Sequence, residues 1–215
     1  MNKGESELEA SYDLVAEYYA DEFFGELKRK PFDCELLDEF AESARGEGRV
    51  CEIGCGPGQI ARYLQDHGLK MQGIDLSEEM IKSARRLNPD ISFEKGDMRK
   101  LTSVDSILDG IVCFYAIIHL KREEITGALK EMHRLLKPEG KLLVAFHGGQ
   151  GELHRVEWYD KPVSIDVTLF ETEEFSGYLK SAGFEVERIV ERPPYDFEHP
   201  TRRVYAFGRK PSHQE

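Results

Sequence analysis

No apolar run in the 215 residues approaches the roughly 20 that a membrane-spanning helix needs, which excludes a helical span. The first ten residues, Met1 to Ala10, are rich in Glu and lack the basic start and apolar stretch of a secretory signal, so a cytoplasmic chain is expected. Cysteine is sparse. Cys34, Cys51, Cys55 and Cys113 form no C-x-x-C pair and meet no His at zinc-ligand spacing, so no metal is expected and they read as reduced core thiols. Positive charge is short as well: 29 Lys and Arg against 41 Asp and Glu leave a net charge of −12, which repels phosphate backbones and argues against a nucleic-acid partner. The nearest thing to a basic patch, Lys28-Arg29-Lys30, reads as a solvated helix end. Internal repeats and low-complexity linkers are also missing, which leaves solenoids and arrays aside.

What is present is an ordinary globular composition, 40% apolar and 33% charged, long enough for one domain with a small appendage. From Arg49 onward, short apolar runs alternate with amphipathic stretches, the pattern of a parallel sheet flanked by helices, an α/β fold. Strands are predicted at Val50 to Ile53, Met71 to Ile74, Ile91 to Glu94, Gly110 to Tyr115 and Lys141 to His147. The helices between them run from Gln59 to His67, from Glu78 to Leu87 with Ser77 as cap, and from Arg122 to Lys137, where Pro138 stops the last. Thr172 is placed to cap a helix that reaches Ala182, and Gly183 to end it. Two strands follow, Phe184 to Val190 and Val204 to Arg209, and their short Pro-rich connection leaves no room for a crossover helix, so the pair should be antiparallel. Residues 148–170 form an insertion in which Val163, Ile165, Val167 and Leu169 alternate like one extra strand. Ahead of the sheet, Leu8 to Lys28 and Glu35 to Ala44 read as two amphipathic helices.

The most informative residues are Val50-Cys51-Glu52-Ile53-Gly54-Cys55-Gly56-Pro57-Gly58, a buried strand running into a glycine turn that opens a helix. Such a turn lets a ligand approach the backbone with no Cβ in the way. Gln59 stands where the dinucleotide fingerprint G-x-G-x-x-G needs its third glycine, and no G-K-[ST] follows. Glu52, two positions before Gly54, is an odd neighbour for a pyrophosphate but suits a ligand carrying an amino group and a sulfonium.

In these residues the sequence resembles the class I S-adenosylmethionine (SAM)-dependent methyltransferases, whose first motif, E/D-x-G-x-G-x-G, is matched by Glu52 to Gly58. The resemblance implies a Rossmann-like fold with a seven-stranded, mostly parallel sheet and an antiparallel last strand. It also implies SAM as cofactor and S-adenosylhomocysteine as product. It assigns Glu52, Gly54, Cys55 and Gly56 to the cofactor loop, and Asp75 in Gly73-Ile74-Asp75-Leu76-Ser77 to the ribose hydroxyls. Asp97 and Met98 are then expected at the adenine edge, with Leu76 or Met80 packed on its ring and Tyr115 at the end of the fourth strand facing the methyl group. Leu136-Lys137-Pro138-Glu139-Gly140 is similar to the L-K-P-G-G segment of small-molecule members. The family also implies that residues 1–45 supply a helical lid, with Tyr12 and Tyr19 near the cofactor, ahead of a catalytic domain from 46 to 215. Residues 148–170, with His154 and Trp158, are expected to cover the acceptor.

His119 and His147 stand at carboxyl ends of neighbouring strands, where open parallel sheets bind ligands, and are candidate general bases; positioning or capping is the rival reading. Cys55 and Cys113 do not follow a proline as cytosine-methylating nucleophiles do, and Pro193-Pro194-Tyr195, between the last two strands, reads as a rigid turn. The expected activity is methyl transfer to a small-molecule O, N or S acceptor. A protein or RNA acceptor, or SAM binding without catalysis, are the alternatives. Neither the acceptor nor the oligomeric state follows from the sequence.

Overall fold

The structure, a computed structural model, describes residues 3–46, 48–102 and 105–212. The chain opens with α1 (Lys3–Phe23), a 3-10 turn at Glu26–Arg29 and α2 (Pro31–Ser43). It then alternates through β1 (Arg49–Ile53), α3 (Gln59–Asp66), β2 (Met71–Asp75), α4 (Glu78–Leu87), β3 (Ser92–Lys95), β4 (Leu108–Phe114), α5 (Arg122–Leu135) and β5 (Leu136–Gly148). A hairpin of β6 (Glu152–Trp158) and β7 (Lys161–Thr168), then α6 (Thr172–Ser181), β8 (Glu185–Arg192) and β9 (Arg202–Arg209) complete it. The main sheet has the order β3-β2-β1-β4-β5-β9-β8, and only β9 runs against the others.

The strand period of two divides the core into two faces. On β4, Ile111 and Cys113 face α5 and α6, while Val112 faces α2, α3 and α4. Helix α5 answers with Ile125, Ala128, Leu129 and Met132, an i, i+3, i+4, i+7 stripe that is fully buried. Helix α4 starts as its sequence dictates: the Ser77 hydroxyl accepts the Met80 amide at 3.1 Å.

Several boundaries differ from the sequence reading. The first helix ends at Phe23, because the chain bends through Gly25 into the 3-10 turn. The N-cap of α6 is Glu171, not Thr172: the carboxylates of Glu171 and Glu174 each accept a backbone N–H across the first turn. The insertion contributes two strands, not one, closed by Tyr159 and Asp160 at φ 52° and 56°, the left-handed pair of a two-residue hairpin turn. Lys30 is not solvated. It is buried between Glu26 at 2.6 Å and Glu198 at 3.2 Å, in a network where Arg192 binds Asp33 at 2.8 Å and Glu198 at 2.7 Å. The turn predicted at Pro193-Pro194-Tyr195 lies further along: it starts at Tyr195, whose carbonyl accepts the Glu198 amide, and the two prolines precede it.

The two N-terminal helices have different fates. Leu37 and Phe40 of α2 are wholly buried in the sheet's core, whereas α1 lies across the carboxyl ends of the strands, between α4 and β7. Among the described residues no helix is long and apolar enough to cross a membrane, and no three His, Cys, Asp or Glu side chains converge as a metal site.

Candidate active site

The carboxyl end of β1 turns sharply at Gly54, whose φ is 71° and whose N–H donates to the Ile74 carbonyl at 2.8 Å, tying the loop to β2. A Cβ at Gly54 would lie 2.1 Å from that of Ala116, so the position is restricted to glycine by space as well as by conformation. Gly56, at φ 49°, donates its amide to Asp75 Oδ2 at 2.8 Å, and Ser77 donates to Asp75 Oδ1 at 2.9 Å. Burial pushes the Asp75 carboxyl above its ordinary range, and these N–H groups pull part of the way back. The result is a carboxylate fixed at a strand end, with lone pairs left for a ligand.

These residues line a cavity of about 710 Å³ together with Tyr12, Tyr19, Leu76, Met80, Asp97, Met98, Tyr115 and His119. Asp97 is clamped by Arg99, whose Nε reaches Oδ1 at 2.9 Å and whose second terminal nitrogen reaches Oδ2 at 2.6 Å; burial alone would raise its pKa, but the guanidinium holds it below the usual range. Tyr115 adopts φ 53°, an uncommon conformation for a large side chain, and donates its hydroxyl to Tyr205 at 3.0 Å. That hydroxyl in turn donates to Asp33 Oδ1 at 2.9 Å, locking the ring from behind.

Two residues expected on the cofactor loop do not line the cavity. Glu52 is 1% exposed and accepts the Ala61 amide at 2.7 Å, capping the first turn of α3 from beneath, and burial holds its pKa well above the carboxylate range. Cys55 turns its side chain into the core beside Gly73. Burial drives the thiols of Cys51 and Cys113 up to about 12, so neither supplies a thiolate at neutral pH.

The two histidines are placed differently. His119 Nδ1 lies 2.8 Å from the Asp166 carbonyl and Nε2 lies 2.7 Å from the Tyr12 hydroxyl. A carbonyl only accepts, so Nδ1 carries the proton and Nε2 offers a lone pair to Tyr12 O–H. Burial lowers the His119 pKa, so the ring is neutral at neutral pH. His147 is not among the lining residues. Its Nδ1 lies 3.1 Å from an Arg203 nitrogen and 2.7 Å from the Thr201 hydroxyl, and burial followed by the Arg203 charge drives its pKa down to about 3. Since Arg203 only donates, the neutral His147 ring carries its proton on Nε2.

Helix α1 and the β6–β7 hairpin roof the cavity. Asp13 receives the Ser77 hydroxyl at 2.5 Å, Ser11 receives the Ser164 amide at 2.9 Å, and Val15 packs on Val163 and Ile165. Trp158 sits 5.4 Å from Tyr19 and 6.2 Å from Tyr12, with the Arg155 guanidinium 4.7 Å above its ring. His154 is exposed on the outer hairpin, bonded to Asp166 Oδ1 at 2.6 Å. Sequence reasoning overlooked Asp13, Ser164 and Asp166, because their partners lie 64, 153 and 47 residues away and no local pattern announces such pairs.

A parallel sheet with one reversed strand, a glycine turn after β1 and an acidic end to β2 define a Rossmann-like nucleoside-binding enzyme. The methyltransferase domain pattern matches residues 50–140. A Bacillus subtilis protein named as a methyltransferase, YqeM, is 37% identical, over 67% of this chain and 76% of its own. Indolepyruvate C-methyltransferase of Streptomyces griseus is 29% identical over 52% of this chain, which spans only 36% of that enzyme. The crystal structure of a SAM-dependent methyltransferase from Methanosarcina mazei superposes with a TM-score of 0.73 at 18% identity, covering 80% of this chain and 96% of the other. The chain belongs to the class I SAM-dependent methyltransferase family.

Proposed function

We propose that the protein transfers the methyl group of SAM to a small molecule through an O, N or S atom, in the cytoplasm. The observation that carries the acceptor class is the roof. Tyr12 and Tyr19, backed by Trp158, lie over the carboxyl ends of the strands, and a partly covered cavity of about 710 Å³ suits a nucleoside with a compact second substrate better than a macromolecular surface. The net charge of −12 supports the same reading against RNA. The indolepyruvate enzyme, by its name a C-methyltransferase of a small molecule, supports the size of the acceptor and not the choice of atom.

The lining fits SAM. Gly54 and Gly56 would leave backbone open to the methionine moiety, Asp75 would accept from the ribose hydroxyls, and Asp97 with the Met98 amide would meet the adenine edge between Leu76 and Met80. When bound, SAM supplies a methyl on a sulfonium whose departure needs little activation, so the protein's main task is alignment. Orientation alone provides effective molarities of about 10⁵–10⁸ M. Tyr115, held by Tyr205 and Asp33, would wall the methyl-bearing end, and the roof would exclude water.

Incubation of the pure protein with methyl-labelled SAM and a cell extract is the test. Label entering the small-metabolite fraction supports the proposal, label in protein or RNA replaces its acceptor class, and no label with intact SAM binding makes the chain a non-catalytic binder.

A further inference from the structure

Both ring nitrogens of His119 are engaged, Nδ1 by the Asp166 carbonyl and Nε2 by the Tyr12 hydroxyl, so neither is left to meet an acceptor directly. Tyr12 lines the same cavity, and its oxygen, which spends its only hydrogen on Nε2, keeps its lone pairs. Among the described residues no donor occupies them. We infer that Tyr12 and His119 act as one proton acceptor, with Tyr12 Oη touching the methyl acceptor and His119 taking the proton through it. This rests on the transferase reading above.

The step balances. An acceptor O–H or N–H donates to Tyr12 Oη. As the acceptor forms its bond to the methyl carbon, the carbon–sulfur bond breaks and its electron pair stays on sulfur. The acceptor's proton passes to Tyr12 Oη, and the tyrosine's own proton passes to His119 Nε2. One positive charge is lost at sulfur and one appears on the imidazolium, whose two N–H groups then point at the Asp166 carbonyl and the Tyr12 oxygen. The tyrosine never becomes a free phenolate, which matters because burial raises its pKa far above neutrality. A histidine whose pKa is lowered by burial is already in its receptive form at neutral pH.

The geometry has a second consequence: the pair exists only when three distant segments meet. Tyr12 comes from α1, His119 from the turn after β4, and Asp166 from β7. The proton acceptor is therefore built only where the roof meets the chain after β4.

Tyr12→Phe keeps the ring against Tyr19, His119 and Trp158 and removes only the hydroxyl. With labelled SAM and the small-metabolite fraction of a cell extract, this variant should incorporate label about 10²-fold more slowly or worse, as should His119→Gln. S-adenosylhomocysteine should bind both within about threefold of wild type by calorimetry, roughly 0.7 kcal/mol. Wild-type incorporation should fall on the acid side with a midpoint below 6.5, and Tyr12→Phe should lose that limb. Tyr12→Phe with the wild-type rate and pH profile overturns the inference. So does a variant that loses product binding tenfold, since Tyr12 would then be a cofactor clamp. If wild type itself labels nothing, the transferase reading fails first and this inference with it.

Discussion

Asp13 Oδ1 accepts hydrogen bonds from the Ser77 hydroxyl at 2.5 Å and the Glu79 amide at 3.2 Å, so the roof helix is fastened to the first turn of α4, next to Asp75. Asp13→Ala should loosen the roof while leaving the Ser77 cap of Met80 in place. Charge-assisted bonds of this kind contribute about 1.5 kcal/mol or more, so S-adenosylhomocysteine should bind up to roughly tenfold more weakly by calorimetry. Backbone amides of α1 should exchange faster with solvent at an almost unchanged Tm. An equal rate of exchange in the variant would show that α1 is held by apolar packing alone.

Gly54→Ala should abolish cofactor binding. The added methyl meets Ala116 Cβ at 2.1 Å, and φ 71° disfavours any side chain. Relief requires moving the glycine loop or the chain after β4, at a cost of about 1–3 kcal/mol in stability. A lower Tm together with lost binding checks both halves. Normal binding would mean that the loop is far more plastic than its hydrogen bonds suggest.

Asp75→Asn tests the ribose contact. The asparagine amide nitrogen cannot accept, so one of the Gly56 and Ser77 N–H groups loses its partner along with the contact to a ribose hydroxyl. The expected loss is about 1.5–3 kcal/mol, or roughly 10- to 150-fold in Kd for the cofactor product. An unchanged Kd would remove Asp75 from the binding site.

The buried network behind Tyr115 should govern acid stability. Burial acts to raise the Glu198 pKa, but Arg192, the Tyr195 amide, Arg203 and Lys30 outweigh it and hold the carboxyl at about 2. A depressed folded-state pKa stabilises above the unfolded value and is lost as pH falls through the folded one. Wild-type Tm should therefore drop between about pH 4.5 and 2. Glu198→Gln leaves three buried cations short of a counter-charge, costs about 3–5 kcal/mol at neutral pH, and should flatten that drop. Parallel Tm curves would mean that other carboxylates control acid unfolding.

The sheet was legible wherever apolar pattern and burial coincide. Ile111, Val112 and Cys113 form a run that a strand buried on both faces explains, and Gly54, Gly56 and Asp75, singled out in order along the sequence, all line the cavity. Strand β6 was not legible, because Glu152 to Glu157 are all exposed and carry no alternation; its strand character comes from pairing with β7 alone. Glu52 shows a different limit. Its place before the glycines suggested a ligand contact, yet a buried carboxylate can also cap a helix, and only the 2.7 Å bond to Ala61 N–H distinguishes the two. Lys30 reads as solvent-facing by composition and is buried between a local partner, Glu26, and one from the other end of the chain, Glu198.

The roof is built from two stretches, residues 3–23 and 152–168, that stand outside the alternating strand–helix run. Neither supplies a strand to the main sheet. Apart from anchors such as Asp13 and the buried Val15, positions in these two stretches can vary without altering the strand pairing of the main sheet.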